Sequence, residues 1–454
     1  MSHPFWHPFA DMSLVAGREL VIASGHGSTV VAEDGREFLD ATAGLWYCNV
    51  GHGRDELAEA AAGQMRAIAS YSNFGDLATR STLDLAERLA GLAPMADAKV
   101  FFTSGGSDAV DTAVKLARRY WSLLGQPDRS VIVTRNRSYH GMHLAGTSLA
   151  GIDANREGHG PLDAQVAHVA WDEPGDLVAR IDDLGPERVA AFFCEPVIGA
   201  GGVYLPPPGY LEAVRQACRE RGVLFVADEV ITGYGRTGRM FASEGLEPDL
   251  VLTAKGLTSG YLPMGAVLVA GRVAGPFWAG GVWRHGYTYS GHASAAAVAL
   301  ANLDIIDREG LVRRVADAQL TLAAALAPLR AHDWVAQVRT GAGLLGAVQL
   351  EPGLLAEEPT ALGRVVSGLR DRGVITRPLV DGSLQVSPPF VITREELHRM
   401  GAAMDEALAA AGSSRGAKAA PLTDLLPDVT SDEAGGFGST DARLLADVPP
   451  HHGS

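Results

Sequence analysis

Residues 222–256, GVLFVADEVITGYGRTGRMFASEGLEPDLVLTAKG, contain two short unbroken apolar runs, each of which leads to a charged residue. Val223 to Ala227 has no polar residue on either face, the pattern of a strand covered on both sides in a parallel sheet, and it ends on Asp228. Leu250 to Thr253 repeats the pattern and leads to Lys255. The stretch between them has the length of one crossover connection, so the two strands are expected to run parallel. A carboxylate and an amine are thereby presented at neighbouring strand tips, the edge at which open α/β sheets take their ligands.

Taken singly, an aspartate at a strand end is a common helix cap and a lysine after a strand is commonly solvated. Together they suit pyridoxal phosphate (PLP) chemistry, in which a lysine forms a Schiff base with an aldehyde and an acid pairs with a pyridinium nitrogen. Lys255 then also serves as the amine that carries a proton between two carbons once the substrate has displaced it.

The whole stretch resembles class III aminotransferases of the aspartate aminotransferase superfamily, in which a strand ending in D-E is followed by T-G-x-G-R-T-G and then by K. Asp228, Glu229, Thr232, Gly233, Gly235, Arg236, Thr237, Gly238 and Lys255 occupy those places, and the resemblance spans about residues 5–412. It implies an α/β fold. A large domain carries a mostly parallel, seven-stranded sheet flanked by helices (PLP transferase fold type I), and a smaller α+β domain is built from both chain ends. Residues 1–60 and 311–412 are then expected in the small domain and 61–310 in the large one. Residues 413–454, rich in Gly, Ser, Asp and Pro, are expected to form a disordered tail in which the His451-His452 pair is no ligand.

Composition narrows the partners. A chain of 454 residues with 47% hydrophobic side chains can build a large core, and a net charge of −15 without a block of lysines or arginines argues against nucleic acid or an anionic membrane surface. No apolar run reaches the ~20 residues that span a bilayer, and the opening MSHPFWHPFADM lacks a basic region followed by an apolar core, so a cytoplasmic location is expected. Cys48, Cys194 and Cys218 are too scattered for a disulfide framework or a zinc site, and no metal is expected.

The segment 99–120, KVFFTSGGSDAVDTAVKLARRY, reads as strand, glycine-rich turn and helix. Its Gly105, Gly106 and Ser107 put backbone N–H groups at a helix N-terminus, a seat for a phosphate, although such turns also serve as plain helix caps. The family usually has N-S-G-S-E here, and this chain has Ser104-Gly105-Gly106-Ser107-Asp108, which removes one hydroxyl contact. By the same resemblance Tyr139 of Tyr139-His140-Gly141 stacks on the pyridine ring, with His140 beside it, and Val230 covers the opposite face; a core tyrosine is the alternative for Tyr139.

Trp46, in Ala43-Gly44-Leu45-Trp46, is either a wall of the substrate pocket, as in the family, or an ordinary core aromatic. Arg377 sits where the pyruvate-using branch has an arginine that swings in to bind a substrate carboxylate; a surface role is equally open. In RHGYTYSGH, Thr288 matches a threonine that reaches the cofactor phosphate of the partner subunit, and Tyr287 lies beside it. The implied assembly is a homodimer with sites at the interface, or a tetramer built from such dimers.

Two departures bear on substrate. Ala200 stands where GABA- and ornithine-type enzymes have a glutamate, and Ile231 where they have a glutamine. Both remove polar groups, which favours transfer from an ω-amino acid or primary amine to pyruvate by ping-pong kinetics. The alternatives are a 2-oxoglutarate-dependent class III enzyme, a class III PLP mutase, racemase or decarboxylase, and a non-catalytic binding protein on the same scaffold.

Overall fold

The computed structural model describes residues 4–413. The expected tail, with His451 and His452, lies outside the described residues apart from its first position, which ends the last helix.

The apolar runs form one seven-stranded sheet, ordered Lys99–Thr103, Gly265–Val269, Leu250–Thr253, Leu224–Asp228, Val189–Cys194, Val131–Arg135, Val166–Val169. Gly265–Val269 is antiparallel to both of its neighbours, and every other pairing is parallel. Helices cover both faces, as a parallel sheet requires. Gly106–Leu123 packs against the strands at one side, while Pro174–Leu184 and Tyr210–Glu220 pack together, the latter also on the Asp228 strand. All residues of Val189–Cys194, Leu224–Asp228 and Leu250–Thr253 are buried, which is why these segments contain so little polar sequence. Burying one phenylalanine side chain contributes ~1.5–3 kcal/mol, and Phe192, Phe193 and Phe225 are all sealed in this layer.

The chain ends meet in a second sheet, ordered Ile22–His26, Thr29–Ala32, Glu37–Asp40, Val374–Ile375. Thr29–Ala32 and Glu37–Asp40 form a hairpin around Asp34-Gly35, and Gly35 takes φ 85°, which a side chain would strain. The last strand of this sheet pairs parallel with Glu37–Asp40, Val374 meeting Leu39 from 335 residues away in sequence. A third sheet, Val335–Ala342, Leu345–Leu350 and Ser383–Val386, follows the large one. The helix Arg394–Ser413 begins with a reciprocal cap: Thr393 Oγ1 accepts from Glu396 N at 3.1 Å, and Glu396 Oε2 accepts from Thr393 N at 2.7 Å. Among the described residues no helix is long and apolar enough to cross a membrane.

One side chain ties the three regions together. Arg236, fully buried, donates to Pro388 O at 2.6 Å, Leu344 O at 3.3 Å and Asn49 Oδ1 at 2.7 Å, and its guanidinium lies 4.6 Å from the Phe390 ring centroid. Burial pushes its pKa down to about 9. Arg236→Ala leaves three buried acceptors unsatisfied and opens a cavity, so it should cost ~3 kcal/mol or more, read as a lowered thermal midpoint.

Candidate active site

The carboxyl ends of the parallel strands open into a cavity of about 360 Å³. Its lining includes Trp46, Gly106, Ser107, Tyr139, His140, Asp228, Val230, Lys255 and Arg377. Nine of the sequence-predicted residues thus converge from six separated stretches of chain.

Asp228 is the last residue of its strand and almost fully buried. Its Oδ2 lies 2.7 Å from His140 Nδ1, and Oδ1 accepts from Val230 N at 3.1 Å. An ionised carboxylate only accepts, so the proton sits on Nδ1, and His140 Nε2 accepts from Thr134 Oγ1 at 3.2 Å. The Val230 contact bends the chain into a turn immediately after the strand. Val230 reaches the cavity through that turn.

Lys255 opens a short 3₁₀ turn with φ 42° after its strand. Its Nζ lies 5.4 Å from the Trp46 ring centroid, and removal from water brings its pKa down to about 8 while the Asp228 carboxylate pulls the other way. No described residue forms a hydrogen bond or ion pair with this amine.

Gly106 and Ser107 begin the 18-residue helix Gly106–Leu123, which has no side-chain cap. Asp108 folds back to accept from Ser104 N at 2.9 Å, and the Gly106 and Ser107 N–H groups meet no acceptor among the described residues. Ser107 Oγ accepts from Met142 N at 3.2 Å. Two close approaches need glycine: a Cβ on Gly106 would lie 2.9 Å from Val230 Cγ1, and one on Gly141 would lie 2.4 Å from Ser107 Oγ. Free N–H groups at a helix start suit an anion, and this turn is bordered by Val230 and Gly141.

Tyr139 lines the cavity, and its backbone N donates to Glu195 Oε1 at 3.0 Å. Sequence reasoning gave Glu195 no role. Its Oε2 also accepts from Gly199 N at 3.0 Å, so this buried acid holds two lining segments, and burial raises its pKa. The available signal was its position: it follows a both-faces-buried strand as Asp228 ends one. Ala200 and Ile231 both line the cavity, and Ile231 Cδ1 would lie 2.3 Å from a Cβ on Gly199.

Trp46 is carried by a loop in which Ala43, Gly44 and Trp46 all have positive φ, 47°, 67° and 59°. Asp40 holds this loop by accepting from Thr42 N at 2.9 Å, Thr42 Oγ1 at 2.8 Å and Gly44 N at 2.7 Å, with His52 Nε2 at 2.9 Å. Trp46 faces the cavity on one side and is otherwise enclosed, so both descriptions left open by sequence apply to it. Arg377 is no surface residue: its guanidinium carbon lies 4.6 Å from the Trp46 centroid, and burial lowers its pKa to about 10.

Thr288 and Tyr287 are not among the lining residues of this chain. In Trp283-Arg284-His285-Gly286-Tyr287-Thr288 the odd-numbered residues turn inward. His285 Nε2 and Tyr287 Oη lie 2.9 and 3.3 Å from Thr112 Oγ1, and Thr288 is exposed.

The model of the family described as aminotransferase class-III matches residues 14–408. A putrescine–pyruvate aminotransferase of Pseudomonas aeruginosa is 38% identical over 419 residues, covering 87% of this chain and 91% of that protein. A diaminobutyrate–2-oxoglutarate transaminase of Halomonas elongata is 35% identical over 422 residues, 86% of this chain and 90% of that one. The crystal structure of a PLP-bound amine transaminase from an uncultivated Pseudomonas species superposes with a TM-score of 0.85 at 37% identity, covering 91% of this chain and 100% of that chain.

The donor set suits PLP: free N–H groups at a helix start for a phosphate, an accept-only carboxylate for a protonated ring nitrogen, and an amine for an aldehyde. The nucleophilic form of Lys255 is the free amine, which predominates above about pH 8 rather than above the 10.5 of an ordinary lysine. Capture of PLP by the apoprotein should therefore accelerate through pH 8 and level off above it, followed by the mass of borohydride-treated samples.

Proposed function

Because this chain belongs to the class III aminotransferases, which are PLP-dependent, we propose that it transfers the amino group of an ω-amino acid or primary amine to a keto acid, with pyruvate as the acceptor. The observation that carries the choice is the cation count in the cavity. Beside Lys255, Arg377 is the single lysine or arginine among the described lining residues. Pyruvate has one carboxylate to match one guanidinium, whereas 2-oxoglutarate has two. The lining supports the smaller acid further, since Ala200 and Ile231 offer no hydrogen-bonding group where a second carboxylate would need one.

When bound, PLP supplies an electron-accepting pyridinium ring for the pair released from the donor's amine-bearing carbon. Asp228, oriented by His140, keeps the ring nitrogen protonated through a charge-assisted contact of the kind that contributes ~1.5–3 kcal/mol. Lys255, with a pKa near the working pH, is the base that moves the proton between two carbons. Tyr139 and Val230 bracket the ring, while Gly105, Gly106 and Ser107 donate to the phosphate. Thr288 of the partner subunit completes the phosphate contacts, which makes the working form a homodimer. Trp46 and the partner subunit's Tyr287 shape the substrate space, and Arg377 receives the carboxylate. Because the amino group would stay on the enzyme between release of the first product and binding of the acceptor, the kinetics are ping-pong.

Half-reactions test this directly. Addition of β-alanine or 1-phenylethylamine should abolish the visible absorbance of bound PLP; after removal of excess amine, pyruvate alone should restore it. Recovery only with 2-oxoglutarate would reverse the acceptor assignment. Lys255→Ala should retain PLP without a covalent link and lose at least ~10²-fold in turnover, measured by ketone or alanine formation. Turnover at the wild-type rate would remove Lys255 from the mechanism.

A further inference from the structure

Arg377 is held in an unusual way for a cation in a partly desolvated cavity. Its Nε donates to Gln385 Oε1 at 2.8 Å, and its guanidinium face rests on Trp46. Neither terminal nitrogen, Nη1 or Nη2, makes a hydrogen bond or ion pair with a described residue. The fork that would grip a carboxylate is therefore left open, while the edge behind it is tied down.

Gln385 is itself fully buried and committed on every side. Its Nε2 donates to Ser387 Oγ at 2.5 Å and to Thr42 O at 3.4 Å, the latter in the loop that carries Trp46. Its backbone N donates to Arg377 O at 3.0 Å, and its backbone O accepts from Thr376 Oγ1 at 2.5 Å. One amide thus links the strand Ser383–Val386, the segment bearing Arg377 and the loop bearing Trp46. A neutral acceptor is the group this position needs. A carboxylate there would neutralise Arg377 and compete with the substrate, whereas an apolar side chain would leave Nε without a partner and free the guanidinium to turn away.

We propose that Gln385 is a positioning residue that seats Arg377 against Trp46 with its terminal nitrogens free, and so sets the affinity of the site for monocarboxylates. The proposal rests on the reading of Arg377 as the carboxylate-binding group. Gln385 touches neither cofactor nor substrate; it acts through the rotamer and the free valences of another side chain. It also couples that rotamer to the loop geometry maintained by Asp40, because Thr42 is bonded to both.

The test uses the PLP-loaded enzyme and propionate, a monocarboxylate with no amine to react. Its dissociation constant is measured by calorimetry on the wild type, Gln385→Met and Arg377→Ala, together with the PLP dissociation constant of each. Gln385→Met should weaken propionate roughly tenfold, the factor that loss of one hydrogen bond to a charged group carries, with PLP affinity unchanged. If the methionine variant does not fold, Gln385→Asn, too short to reach Arg377 Nε, should give the same loss. Weakening of propionate and PLP together indicates general distortion and overturns the proposal. So does unchanged propionate affinity in Gln385→Met when Arg377→Ala abolishes it. If Arg377→Ala binds propionate as the wild type does, the reading of Arg377 fails, and the role of Gln385 falls with it.

Discussion

Everything in this molecule depends on bringing a carboxylate and an amine out of bulk water at adjacent strand ends without letting them neutralise each other in a closed pair. Asp228 meets the desolvation cost by accepting from His140 and from the backbone of Val230, so its charge is distributed over fixed donors. Lys255 meets it by giving up basicity, which leaves an amine near neutrality that is free of hydrogen bonds to its neighbours. The parallel sheet makes the arrangement rigid. Each group is anchored within two residues of a strand buried on both faces, and the strands are paired to each other in register.

That rigidity also explains what could be read from sequence. A strand covered on both faces has no room for polar residues, so Val189–Cys194, Leu224–Asp228 and Leu250–Thr253 announce themselves, and the charged residues at their ends stand out. The Gly105-Gly106-Ser107 turn is equally legible, because a helix start needs particular residue types. What eludes sequence is whatever is decided by distant partners. Arg377 reads equally as a surface cation until Trp46 and Gln385 are beside it. Glu195 looks like a strand-end acid until the backbones of Tyr139 and Gly199 are seen to converge on it. The strained Ala43–Trp46 loop is intelligible only once Asp40 is known to satisfy it. Val230 reaches the cavity for a local reason, the Asp228 side chain accepting its N–H, which simple alternation overlooks. Thr288 faces away from the cavity of its own chain, so no single-chain geometry assigns it a function.

Overall similarity does not choose the keto acid, since relatives whose names specify pyruvate and 2-oxoglutarate stand at 38% and 35% identity. Discrimination between such acids resides in a few lining side chains on a shared framework. Ala200 and Ile231 line the cavity and carry no polar group. Ile231 does more than remove a polar group, because it fills the space beside Gly199, where no larger residue could sit without displacing it.

The Arg236 clasp bears on how the chain comes to be folded during synthesis. Its bonds reach 187 residues back to Asn49 and 152 residues forward to Pro388. The seven-stranded sheet is complete in sequence by Val269, yet the arginine in the loop beside its central strand lacks its Pro388 acceptor until some 120 more residues have emerged. At a translation rate of ~5–20 residues per second, that interval lasts many seconds. Throughout it the ribosome carries a large sheet complete in sequence with a guanidinium only partly satisfied. The cavity wall made by Arg377, Pro378, Leu379 and Val380 also emerges more than 100 residues after Val269, so a nascent chain stalled in between would present Lys255 on a fold that cannot yet enclose it.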